Sequence, residues 1–188
     1  LSPWGYETIN RWTPAAIDPN RSFNQDTDIE ECRYLMTYVA ELNISILCHI
    51  DLHETTDTDN SEFRPALEAR DAVEQTLWEI PDGFYGVADS AKPEPAFQKA
   101  IIDAVEQVTH IAPSDENGYL IGSKTEQRGV INYPIEGLGL CACFTGAPFV
   151  STTEVYPDSP LVDDENCILA QIAAVCGALN YLVTHDLR

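Results

Sequence analysis

Apolar positions spaced by three and four mark the first clear element: Ile29, Cys32, Leu35, Met36, Val39 and Leu42 share one face, with Asp26 or Asp28 available as a cap. That stripe predicts an amphipathic helix over Asp28 to Leu42. The pattern then changes. Ile44 to Leu52 is a short, largely apolar run with β-branched members and polar ends, which suits a buried strand, and its carboxyl end carries Asp51, His53 and Glu54. Pro65 opens a second helical pattern through about Trp78 and Pro95 a third through about Thr109, each with proline in the tolerated first turn. Between them IPDGFYG reads as a turn, and Pro113 to Gly118 as a polar loop. Gly and Pro then punctuate three candidate strands, Gly129 to Tyr133, Leu138 to Phe144 and Phe149 to Val155. After acidic Asp163 to Glu165, the stripe Ile168, Leu169, Ile172, Val175, Cys176, Leu179, Leu182 and Val183 predicts a long closing helix. Helices interleaved with strands predict an α/β domain with helices covering a sheet and chemistry at strand ends, while strand order stays open.

Composition narrows the partners. A chain of 188 residues can bury a full core, so one domain over 1–188 is expected. With 31 acidic against 10 basic residues and a formal charge of -21, nucleic acid and anionic lipid are poor partners, because their binding relies on clustered Lys and Arg. The sequence shows no apolar run near the ~20 residues of a membrane helix. The six cysteines sit mostly among apolar neighbours and read as free thiols, which leans toward a cytoplasmic location. Cys141 and Cys143 have no second pair with which to form a zinc knuckle.

Several residues could carry chemistry. His53 at a strand end could ligate zinc, with Asp51 on the same strand face orienting nearby donors, but judged alone it fits a plain polar strand end better. Arg21, beside Asn20, could take a carboxylate through two charge-assisted hydrogen bonds or pair with one of many acids. Glu154, near the end of its strand, could accept a proton beside a metal, or simply be solvated. Asp57, Asp59 and Glu62 are a solvated acidic stretch or oxygen ligands for a second, hard cation such as calcium.

The ordered set IDPNRSF (Ile17 to Phe23), DLHET (Asp51 to Thr55) and STTEVYP (Ser151 to Pro157) resembles the zinc metallocarboxypeptidases of the carboxypeptidase A/B kind. The resemblance implies a mixed, mostly parallel sheet flanked by helices, of the zinc-carboxypeptidase (phosphorylase/hydrolase-like) fold class, with its N-terminal part missing. It implies zinc as cofactor, with His53 as the third ligand and Glu154 as general base. Asn20 and Arg21 would clamp the substrate's terminal carboxylate. PWGYETINRW matches the family stretch that ends in a carbonyl-polarising arginine at Pro3, Gly5 and Arg11, with Ser2 in place of the usual Asn, so Arg11 would stabilise the oxyanion. In INYPIEGLGL, Tyr133 would be the mobile loop tyrosine ahead of Gly137 and Gly139, and Leu140 the floor of a pocket favouring an apolar C-terminal residue.

The chain also departs from the family. No histidine is followed three residues later by glutamate, so the upstream His-x-x-Glu motif that supplies two further zinc ligands is missing, and Glu54 follows the zinc histidine. Three functions remain open: a zinc carboxypeptidase acting on peptides; an acyl-amino-acid deacylase of the succinylglutamate desuccinylase or aspartoacylase kind, which shares the Asn-Arg, Asp-Leu-His and final Glu; and a noncatalytic carboxylate-binding domain. The substrate in each case carries a free carboxylate. Of the two enzymes, the peptidase is favoured, because the residues after Glu154 read as helix rather than as a further β-rich segment.

Overall fold

The computed structural model describes residues 2–185. Along the chain run α1 (Pro3–Thr8), a 3-10 turn (Pro19–Arg21), α2 (Glu30–Glu41), β1 (Cys48–Glu54), a π-helical turn (Asp59–Phe63), α3 (Arg64–Asp71), β2 (Tyr85–Asp89) and α4 (Pro95–Val105). They are followed by β3 (Tyr119–Leu120), β4 (Ser123–Gln127), β5 (Val130–Tyr133), a 3-10 turn (Cys141–Cys143), β6 (Phe149–Val155) and α5 (Asp164–Thr184). These elements group into two compact units, Leu1–His49 with Pro134–Val150, and Ile50–Tyr133 with Ser151–Arg188.

In the first unit the amphipathic α2 turns Cys32 inward to Phe23 and Ile29, with Leu35, Met36, Cys141, Cys143 and Phe144 packed around them. Phe23 stacks on Phe144 with ring centroids 5.4 Å apart. Here the expected strand Leu138 to Phe144 is corrected to a turn and a 3-10 segment. Pro134, Ile135 and Glu136 offer their carbonyls to Leu138, Leu140 and Gly139, which coils the chain instead of extending it. Gly139, at φ +62°, permits this, and a Cβ there would come 2.8 Å from the Arg21 carbonyl oxygen.

The sheet has six strands in the order β1-β6-β2-β5-β4-β3. It is mixed: β2 runs parallel to β5, whereas β2/β6, β4/β5 and β3/β4 are antiparallel. The expectation of a mostly parallel sheet is corrected by the β3–β4–β5 meander, whose connections are too short for parallel crossovers. The meander escaped the sequence reading because β4 is SKTEQ, polar throughout, and β3 has only two residues. IPDGFYG is likewise not all turn, since Tyr85 and Gly86 begin the central strand β2. Strand β1 is shifted toward the carboxyl end from its expected Ile44 start, so His53 and Glu54 lie within it. The helix expected to reach Trp78 stops at Asp71, where Ala72 turns left-handed at φ 55°, and Gln75 then donates its backbone N–H to the Glu68 side chain.

Helices α4 and α5 cover one sheet face. Phe97 meets Tyr181 edge-on with ring centroids 5.8 Å apart, and Phe97, Ile101 and Val105 are buried. The helices pack closely because α5 presents Gly177, where a Cβ would lie 2.7 Å from the Ala100 carbonyl oxygen and 2.8 Å from Ala104 Cβ. Gly177→Val is therefore expected to cost about 1–3 kcal/mol despite the higher strain-free helix propensity of valine, seen as a lower urea midpoint at unchanged slope. The opposite sheet face carries Tyr85, Val87, Ala112, Leu120 and Ile131, with Tyr133 packed against them. One reading of the sequence needs correction here: α5, with 21 residues, is long and apolar enough to cross a membrane by length and composition. In the fold it is a packing helix of the second unit, with Ala170, Ala174 and Ala178 buried and Ile168, Ile172 and Val183 exposed.

Candidate functional site

Period-two alternation along β1 sends Asp51, His53 and Thr55 to one face of the sheet and Leu52 and Glu54 to the other. On β6 the same rule places Glu154 opposite Tyr85 of β2. Because β6 lies between β1 and β2, these residues meet although they are remote in sequence. His53 Nε2 lies 2.9 Å from an Asp51 carboxylate oxygen and His53 Nδ1 lies 3.4 Å from Glu154 Oε1. The main chain is fixed from the other face: Gln171 of α5 donates its amide to the His53 carbonyl at 2.7 Å, and Thr153 donates its hydroxyl to Gln171 Oε1 at 2.6 Å.

The electrostatics follow from this placement. The His53 side chain is 27% exposed. Burial alone would lower its pKa, but hydrogen bonds to Asp51 and Glu154, reinforced by their charges, outweigh it and push the imidazole up to about 10. Beside them burial, and then the Glu154 charge, push the Tyr85 phenol well above its ordinary value, so it remains a protonated donor.

The residues present fit one imidazole ligand and its orienting carboxylate, not a complete metal centre. Asp51 on one ring nitrogen is the arrangement that orients metal-bound histidines. Yet the other nitrogen faces Glu154, and among the described residues no three His, Cys, Asp or Glu side chains gather as a metal-holding group. Zinc centres take three or four protein ligands. The acidic stretch does not supply them: Asp57 accepts from the Tyr156 hydroxyl at 2.7 Å, while Asp59 and Glu62 lie on the π-helical turn.

The other expected site residues fall as follows. Arg11 pairs with Asp18 at 3.1 Å, the structural salt bridge that competes with an oxyanion role. Asp18 also caps the Pro19–Arg21 turn by accepting from Asn20 N. Asn20 Oδ1 accepts from the Cys141 backbone at 2.9 Å, so this side chain braces the first unit, while Arg21 is exposed and donates to the Asn20 carbonyl. Leu140 is buried, at the start of the 3-10 turn. Tyr133 is the last residue of β5, in register with Asp89, its carbonyl accepts from Ser90, and Pro134 follows it out of the strand. Thr55 and Tyr85 were not singled out by the sequence. The alternation that pairs Asp51 with His53 extends to Thr55, while Tyr85 lies in IPDGFYG, whose Pro and Gly mask the start of β2.

A concave surface beside β1 lies on the face that carries Leu52 and Glu54. A groove of about 660 Å³ between β1 and α5 is lined by Leu52, His53, Val155, Cys167, Ile172 and Cys176. Neither Asp51 nor Glu154 lines it.

No family model and no curated protein matches the sequence. Among solved structures, the fold is similar to the crystal structure of a protein described as a "putative metallopeptidase" from Shewanella denitrificans, with a TM-score of 0.53 and 18% identity. The match covers 96% of this chain and 57% of that one, so this chain spans little more than half the neighbour's length. The likeness concerns the fold alone, a mixed α/β domain with helices against its sheet.

Proposed function

We propose that the chain is a hydrolase of the zinc metallocarboxypeptidase kind, removing the C-terminal residue of peptides. The observation that carries this reading is the convergence of Asp51, His53 and Glu154 on one face at neighbouring strand ends. His53 would be one metal ligand, Asp51 its orienting carboxylate, and Glu154 the acceptor of the attacking water's proton. The remaining metal donors would come from outside the described residues. Arg21 and Asn20 would receive the terminal carboxylate, with Arg11 and Tyr133 as further polar contacts and Leu140 favouring apolar side chains. The metallopeptidase-like fold supports the reaction class.

One observation favours a second reading. Both ring nitrogens of His53 already have carboxylate partners, an arrangement that stands without metal and suits a noncatalytic domain. Zinc per chain, measured by elemental mass spectrometry after dialysis, separates the two. The hydrolase reading expects about one zinc per chain, lost in His53→Ala, and release of C-terminal Leu or Phe from peptides. Absence of zinc together with absence of release from peptides and from acylated amino acids would overturn it in favour of the noncatalytic domain.

A further inference from the structure

The two carboxylate oxygens of Glu154 have different partners. Oε1 faces His53 Nδ1 at 3.4 Å, while Oε2 accepts a hydrogen bond from the Thr55 hydroxyl at 3.2 Å. Thr55 is 6% exposed, and its backbone N–H donates to the Val155 carbonyl at 2.9 Å, which ties it to the residue next to Glu154. Tyr85, also buried, stands opposite Glu154 across the β2/β6 pair, with its hydroxyl 3.4 Å from that of Thr55. An ionised carboxylate only accepts, and each hydroxyl has a single proton. The Thr55 proton therefore goes to Glu154, and the Tyr85 O–H points to Thr55 Oγ1, giving the chain of donors one direction.

We propose that Thr55 is the positioning residue of Glu154, an inference that rests on Glu154 being the proton acceptor of the proposed hydrolase. The Thr55 hydroxyl pins Oε2, so that Oε1 is the oxygen left facing His53, and Tyr85 orients that hydroxyl. A glutamate held only by its stem would rotate among rotamers, and misplacement of a reacting group by about 1 Å can cost ~100-fold in rate. Helix α5 fixes the His53 main chain, so Thr55 supplies the matching constraint on the other partner.

The test uses the full chain as purified. Thr55→Val keeps the shape and removes the hydroxyl, Thr55→Ser keeps the hydroxyl, and Tyr85→Phe removes only the phenolic oxygen. Thr55→Val is expected to lower kcat about 10-fold with KM unchanged, Thr55→Ser to restore it, and Tyr85→Phe to give a smaller loss. Independently of turnover, the ¹⁵N resonance of His53 Nδ1 is expected to move in the Val variant and stay in place in the Ser variant. Wild-type kcat and an unmoved resonance in Thr55→Val would overturn the positioning role while leaving the hydrolase intact. If the wild type hydrolyses nothing but the resonance moves in Val and not in Ser, the positioning of Glu154 stands and the hydrolase reading fails.

Discussion

Glu154→Gln is expected to lower kcat for release of a C-terminal Leu or Phe by about 10² to 10⁴-fold, the usual contribution of a positioned general base. The substitution is nearly isosteric. Its amide oxygen can still accept from Thr55, and β6 keeps its pairing with β2, so the fold and the hydroxyl chain should persist. What disappears is the capacity to take a proton, together with one of the two negative charges beside His53. Steady-state kinetics with zinc content measured on the same sample checks this. A loss of kcat at unchanged zinc content is the expected result, and a kcat within a few-fold of wild type would remove Glu154 from the proton-accepting role.

How far the sequence revealed this site depends on which physical signal was strong. The stripes of α2 and α5 were readable because burial on one face imposes a 3.6-residue period over several turns. Strand β6 was readable because FVSTTEV combines β-branched residues with punctuation at both ends. The meander β3–β4–β5 was legible only in its last strand, because polar alternation in SKTEQ carries little contrast and pairing rather than composition holds it. At the site, Asp51, His53 and Glu154 were all named from the sequence, and alternation does place Asp51 and His53 together. Their meeting with Glu154 could not be read from alternation, because it depends on β6 lying between β1 and β2, and strand order leaves no local mark. Arg11 shows the converse limit: its pairing with Asp18 follows from a turn capped by Asp18, a detail of hydrogen bonding that spacing does not encode.

Metal-free protein should lose stability as pH rises, and the sign follows from His53. Its folded pKa, about 10, lies above the ordinary value of 6.5, because Asp51 and Glu154 hold the imidazolium against the penalty of burial. A group raised on folding stabilises fully below its unfolded pKa, and that contribution is lost as pH climbs through its folded pKa. Between pH 7 and 10 a chelator-treated sample is therefore expected to lose a few kcal/mol, read as a falling urea midpoint. Two thiols, buried Cys32 and half-buried Cys48, act with the same sign but later: burial raises both from about 9 to about 11, so their contribution is lost mainly above pH 9. The loss between pH 7 and 9 consequently reports on His53. Asp51→Asn and Glu154→Gln should each flatten that segment, because each removes one of the charges that hold the ring protonated. On the proposed hydrolase reading zinc would need the neutral ring and so compete with the proton, and added zinc should then flatten the profile. A flat profile in the chelator-treated wild type would mean that the folded state holds His53 neutral, and the carboxylate pair would then not be acting as its counter-charge.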